Sequence, residues 1–92
     1  MKRYRENIIK QIIYSPESFS LGPLIDNNLR MLIEKGIHVI LIVRILDNLK
    51  TSLREIMRGE LSDRERNNIK QALNLLKDYD IKKLTRATIK QN

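Results

Sequence analysis

Ile37-His38-Val39-Ile40-Leu41-Ile42-Val43-Arg44-Ile45-Leu46, set between Gly36 and an unbroken run to Gly59, admits two readings. Its β-branched content suits a buried strand. Its continuation favours a helix, because Ile42, Ile45, Leu46, Leu49, Leu53, Ile56 and Met57 hold helical spacing with no breaker before Gly59. No second strand candidate exists in the chain, and a lone strand leaves its backbone groups unmet. We therefore read one long helix over 38–58; the strand reading requires pairing between two chains.

Outward from this segment, Gly59-Glu60-Leu61 is short enough to fold a following helix back onto the long one. Ser62-Asp63-Arg64-Glu65 supplies its start, since a Ser hydroxyl and a Glu carboxylate three residues apart can each satisfy a free amide of the first turn. Ile69, Ala72, Leu73, Leu76 and Tyr79 give that helix, over 63–79, its apolar stripe. On the other side, Ile25, Leu29, Leu32 and Ile33 share a helical face over 24–35. Gly22-Pro23 reads as its opening, and Lys35-Gly36 as its close. Tyr4, Ile8, Ile9, Ile12 and Ile13 form the stripe of a first helix over 3–14. Ser15-Pro16 then breaks the pattern, with Ser15 suited to a cap and Phe19 and Leu21 suited to the core.

The expected fold is all-α: a small bundle of about four helices with one long central helix, forming a single domain over 1–80 followed by a basic C-terminal tail, 81–92. Ninety-two residues support one core, not two. That core is aliphatic, because the aromatic residues are only Tyr4, Tyr14, Phe19 and Tyr79. Ile37 to Leu46 is apolar around nearly its whole circumference, more than three short helices cover. We expect a homodimer or an obligate protein partner to bury the excess, with Ile37, Ile40, Leu41 and Val43 as interface residues.

Chemistry is excluded more readily than binding. With no cysteine and a single histidine, His38, there is no disulfide framework, no thiolate zinc site and no Cys or His nucleophile system. His38 is read as a buried, hydrogen-bonded or boundary residue. The acids Asp26, Asp47, Glu55 and Glu60 stand singly, and no glycine-rich phosphate loop accompanies them. The expectation is a non-enzyme with no catalytic residues, no metal, no cofactor and no small-molecule substrate. The acids are read as ion-pair partners on solvated helix faces, Asp47 with Lys50 and Glu55 with Arg58.

Eighteen Lys and Arg against eleven Asp and Glu give a net charge of +7, which favours anionic partners. Lys50, Arg54 and Arg58 recur every four residues on the long helix, away from Leu49, Leu53 and Ile56. They read as a basic ridge for phosphate contact, supported by Arg3 and Arg5 near the start and by Lys82, Lys83, Arg86 and Lys90 in the tail. Scarce aromatics argue against a stacking platform for single strands. The tail's Leu84-Thr85-Arg86-Ala87-Thr88 also suggests the opening of a groove-reading helix, although only about seven residues follow Thr85. No segment has the length of a membrane span or the pattern of a secretory leader, so a cytoplasmic location is expected.

From Arg44 to Tyr79 the chain resembles the helical domain of archaeal GINS replication subunits. A long helix ends near a glycine and a Leu-Ser-x-x-Glu start opens the next, as Leu53, Ile56, Gly59, Leu61-Ser62-Asp63-Arg64-Glu65, Ile69 and Leu73 do here. It departs at Arg64 and Arg66, where that family has paired acids, and it lacks residues for the family's small β-domain. The resemblance implies a scaffold acting at DNA. Gly22-Pro23-Leu24-Ile25 and Leu41-Ile42-Val43-Arg44-Ile45-Leu46, with the capped last helix, are also similar in kind and order to immunity proteins of pediocin-like bacteriocins. Those are basic four-helix bundles acting at the inner membrane face. The expected function is thus a non-catalytic basic binding module in DNA transactions; the alternative is a helical immunity or partner-binding protein at the inner membrane surface.

Overall fold

The computed structural model describes residues 2–16, 20–79 and 81, with the side chains of residues 2 and 3 outside the description. Four helices follow one another: α1 Lys2–Ile13, α2 Leu21–Glu34, α3 Val39–Ile56 and α4 Asp63–Lys77, with no strand among the described residues. The segment from Val39 onward is helical, as its spacing indicates. Each helix packs against the other three. At 18 residues α3 is the longest, against 15 for α4, but this all-against-all packing gives it no central position.

Each helix contributes one aliphatic face. Ile8 and Ile12 from α1, Leu21, Ile25, Leu29 and Leu32 from α2, Ile42, Ile45, Leu46, Leu49 and Leu53 from α3, and Ile69, Ala72 and Leu76 from α4 form the buried core. Tyr4 and Tyr79 pack at its margin, half-buried. Phe19, expected in the core, lies outside the described residues; Leu21 is fully buried.

The helix ends show how the sequence sets the bounds. The second helix starts at Leu21, three residues before the expected point, with Gly22 and Pro23 inside its first turn. Proline is tolerated there because the first four amides of a helix have no intrahelical acceptor to lose. At the other end Gly36 takes φ 85°, the left-handed conformation that its missing Cβ permits. Its amide donates to the Ile33 carbonyl and the Ile37 amide donates to the Leu32 carbonyl, each at 3.0 Å. These two bonds define a Schellman close, and they seat Ile37 against the core as the motif's apolar contact.

His38 is the N-cap of α3. Its φ of −64° and ψ of 144° are non-helical, and its Nδ1 accepts from the Ile40 amide at 3.1 Å. Histidine is a poorer cap than serine or aspartate, and the first turn of α3 holds no acid to complement the helix dipole. The variant His38→Asp is expected to raise stability by about 0.5–1 kcal/mol, read as a higher urea midpoint at unchanged slope. A lower midpoint would show that the imidazole has a role beyond accepting that bond.

The fourth helix opens with the full capping box. The Glu65 amide donates to Ser62 Oγ at 3.2 Å and the Ser62 amide donates to Glu65 Oε1 at 2.9 Å. These bonds to Ser62 hold the Glu65 carboxyl below its usual range.

Candidate binding surface

Three polar side chains of α4 do structural work that the sequence did not reveal. Asn68 is 2% exposed, and its Nδ2 donates to the carbonyls of Ile13 and Ser15, 3.1 Å each, closing the end of α1 from across the bundle. Arg66 donates to the Met57 carbonyl at 3.1 Å and the Gly59 carbonyl at 3.4 Å, which does the same for α3. Arg64 donates to the Pro16 carbonyl. Arginine at a helix C-terminus meets both free carbonyls and the negative end of the dipole. On the opposite side of the molecule, Lys35 Nζ lies 4.9 Å from the Tyr4 ring centre and bonds its hydroxyl. Part of the positive charge is therefore committed to holding the fold.

The basic row of α3 divides under the same inspection. Lys50 is half-buried and lies 3.5 Å from Asp47, the ion pair expected from their spacing. Arg54 and Arg58 are exposed, and among the described residues neither has a carboxylate within ion-pair distance; the expected Glu55–Arg58 pair is not formed. The four-residue step from Lys50 to Arg54 turns the row by about 40° while advancing about 6 Å; Arg58 lies two residues beyond the end of α3, in the turn that follows it. Arg5 sits half-buried on α1. The side chain of Arg3, and Lys82, Lys83, Arg86 and Lys90, lie outside the described residues.

The apolar end of α3 is exposed. Val39 is 40% exposed, Ile40 57%, Leu41 38% and Val43 43%, whereas Ile37 is half-buried in the Schellman close. Val39 belongs to this group although the sequence reading did not single it out. Beside it, Val39, Val43 and Leu46 of α3 face Leu76, Tyr79 and Ile81 across a groove of ≈ 520 Å³, with Asp47, Lys50 and Lys77 also lining it.

Tyr79 forms one wall of this groove and is anchored by its hydroxyl, which donates to Asp26 on α2. Burial, then the Asp26 hydrogen bond and charge, push this phenol well above its ordinary value, with Arg30 acting weakly the other way. A group whose folded value is raised contributes stability that is complete below the unfolded value, near 10, and is lost as pH rises toward the folded one. Stability should accordingly fall above about pH 10, more in the native chain than in Tyr79→Phe, which also costs about 1 kcal/mol at neutral pH. Urea melts at pH 8 and pH 11 check this; parallel losses in both chains would contradict it.

No described helix is long and apolar enough to cross a membrane. Among the described residues no three His, Asp or Glu side chains gather as a metal site would require. No family profile, curated protein or solved structure matches the chain.

Proposed function

We propose that this protein is a non-catalytic binding module that contacts the phosphate backbone of duplex DNA through the outer face of α3, acting as an accessory or scaffold in the cytoplasm. The observation that carries the reading is the exposure of Arg54 on α3, a helix fixed by five buried residues, and of Arg58 in the turn just after it, neither with a carboxylate within ion-pair distance among the described residues. Their charges are positioned at little entropic cost, and guanidinium groups suit phosphate oxygens. The resemblance of the sequence from Arg44 to Tyr79 to the helical domain of archaeal GINS subunits points the same way.

The exposed aliphatic residues at the start of α3 favour a second reading, a partner-binding or membrane-surface protein. Val39, Ile40, Leu41 and Val43 together present on the order of 300 Å², the size of the largest apolar patch on an ordinary monomer. A standard stable interface takes roughly 800 Å² per partner. They support a small contact with another protein chain more readily than an extensive obligate dimer.

Gel shift with duplex DNA at 50 and 200 mM salt, beside sedimentation with anionic vesicles, separates the two readings. Binding through phosphates weakens steeply between those salt concentrations. Vesicle binding with no shifted DNA at the lower salt would replace the first reading with the second.

A further inference from the structure

We infer that the groove between the N-terminal half of α3 and the end of α4 is a binding site for a single-chain anionic amphiphile, of the fatty-carboxylate class, seated with its chain on the aliphatic lining and its head at the lysines. The site stands independently of DNA binding. Its floor is Leu46 and Leu76, both buried, and its walls are Val39, Val43, Tyr79 and Ile81. At ≈ 520 Å³ it falls within the usual size of small-ligand sites, which are mostly apolar with a few polar groups to fix orientation. Tyr79 is held in place by Asp26, so that wall is anchored before any ligand arrives.

Charge chooses among apolar occupants. Two lysines and one acid line the groove; Asp47 is paired with Lys50, which leaves the lining with a net positive charge carried by Lys77. Lys77 is exposed. The start of α3 and the end of α4 meet here with opposite partial charges, so the helix dipoles largely offset each other and the lysines set the sign. A second copy of a chain carrying +7 is disfavoured at such a surface, and the bare patch is smaller than a stable dimer requires.

The test is a titration of the full-length ¹⁵N-labelled protein with monomeric laurate, and separately with dodecyltrimethylammonium, an apolar chain of the same length with the opposite charge. Expected are amide shifts centred on Val39, Val43, Leu46, Leu76 and Ile81, with laurate binding about tenfold more tightly than the cation. Val43→Asp, at an exposed position, should abolish laurate binding with helicity retained. Lys77→Glu should reverse the preference, and Ile40→Asp, outside the groove, should leave binding unchanged. Equal affinity for both amphiphiles, shifts centred on Ile40 and Leu41, or undiminished binding by folded Val43→Asp would each overturn the assignment. So would shifts that appear with phosphatidylglycerol vesicles and not with laurate, an outcome that would assign the surface to a membrane.

Discussion

Replacing Asn68 by alanine is expected to lower stability by about 3 kcal/mol, because a side chain only 2% exposed loses two hydrogen bonds to the carbonyls that end α1. In a domain of this size that corresponds to a melting temperature lower by roughly 12–24 °C. Asn68→Asp should be worse than alanine. It keeps the shape but turns a two-bond donor into an acceptor facing two carbonyl oxygens, and it buries a charge with no partner. Thermal melts of the three proteins followed by circular dichroism check the order asparagine, alanine, aspartate. An aspartate variant as stable as the native chain would mean that these bonds do not hold the end of α1.

Reversing Arg54 and Arg58 to Glu together is expected to reduce duplex affinity more than tenfold, uniformly across DNA sequences, and to lower the slope of log K against log salt by about 2. Both side chains are exposed and make no ion pair among the described residues, so stability should change by only about 0.5 kcal/mol. Quantitative gel shifts over a salt series, with melting as the control, give the result. Unchanged affinity in this variant, with loss only on deleting residues 81–92, would move the DNA contact to the tail.

The fold was legible where local chemistry and periodicity agreed. Helical spacing through Leu53 settled the helix reading of Val39 to Val43; the capping box gave α4 its start to the residue, and Gly36 gave α2 its end to within one residue. The start of α2 was misplaced because Gly-Pro is an ordinary turn signal and also a permissible first turn, and only the fully buried Leu21 distinguishes the two. Asn68 was hidden for a different reason. It sits beside Ile69 in a pattern that reads as aliphatic, and its acceptors lie 55 and 53 positions away in sequence.

Arg64 and Arg66 were illegible in the same way, as they contribute to net charge in the sequence and to helix termination in the structure. For the candidate binding surface, the four-residue spacing anticipated that Arg54 and Arg58 are exposed, although α3 ends at Ile56 and leaves Arg58 in the following turn. It could not separate them from Lys50, whose pairing with Asp47 takes it out of the free row. The groove had no linear signature, since its walls come from two helices that run in opposite directions and from Ile81 beyond the second.

The clamps made by α4 impose an order on how the molecule comes together. The terminus of α1 is closed by Asn68, the bend after it is held by Arg64, and the terminus of α3 is closed by Arg66. The C-terminal ends of α1 and α3 thus wait for the last described helix, whereas α2 closes on its own Gly36 and Ile37. A nascent chain that has emerged only through α3 has its aliphatic faces but no closure for α1, and those faces stay available to chaperones or to each other. Once α4 docks, three loose ends are closed by Arg64, Arg66 and Asn68, which lie within five consecutive residues of one helix. Opening that helix would release all three ends together, so a change that loosens α4 is felt at α1, at the bend after it and at the end of α3.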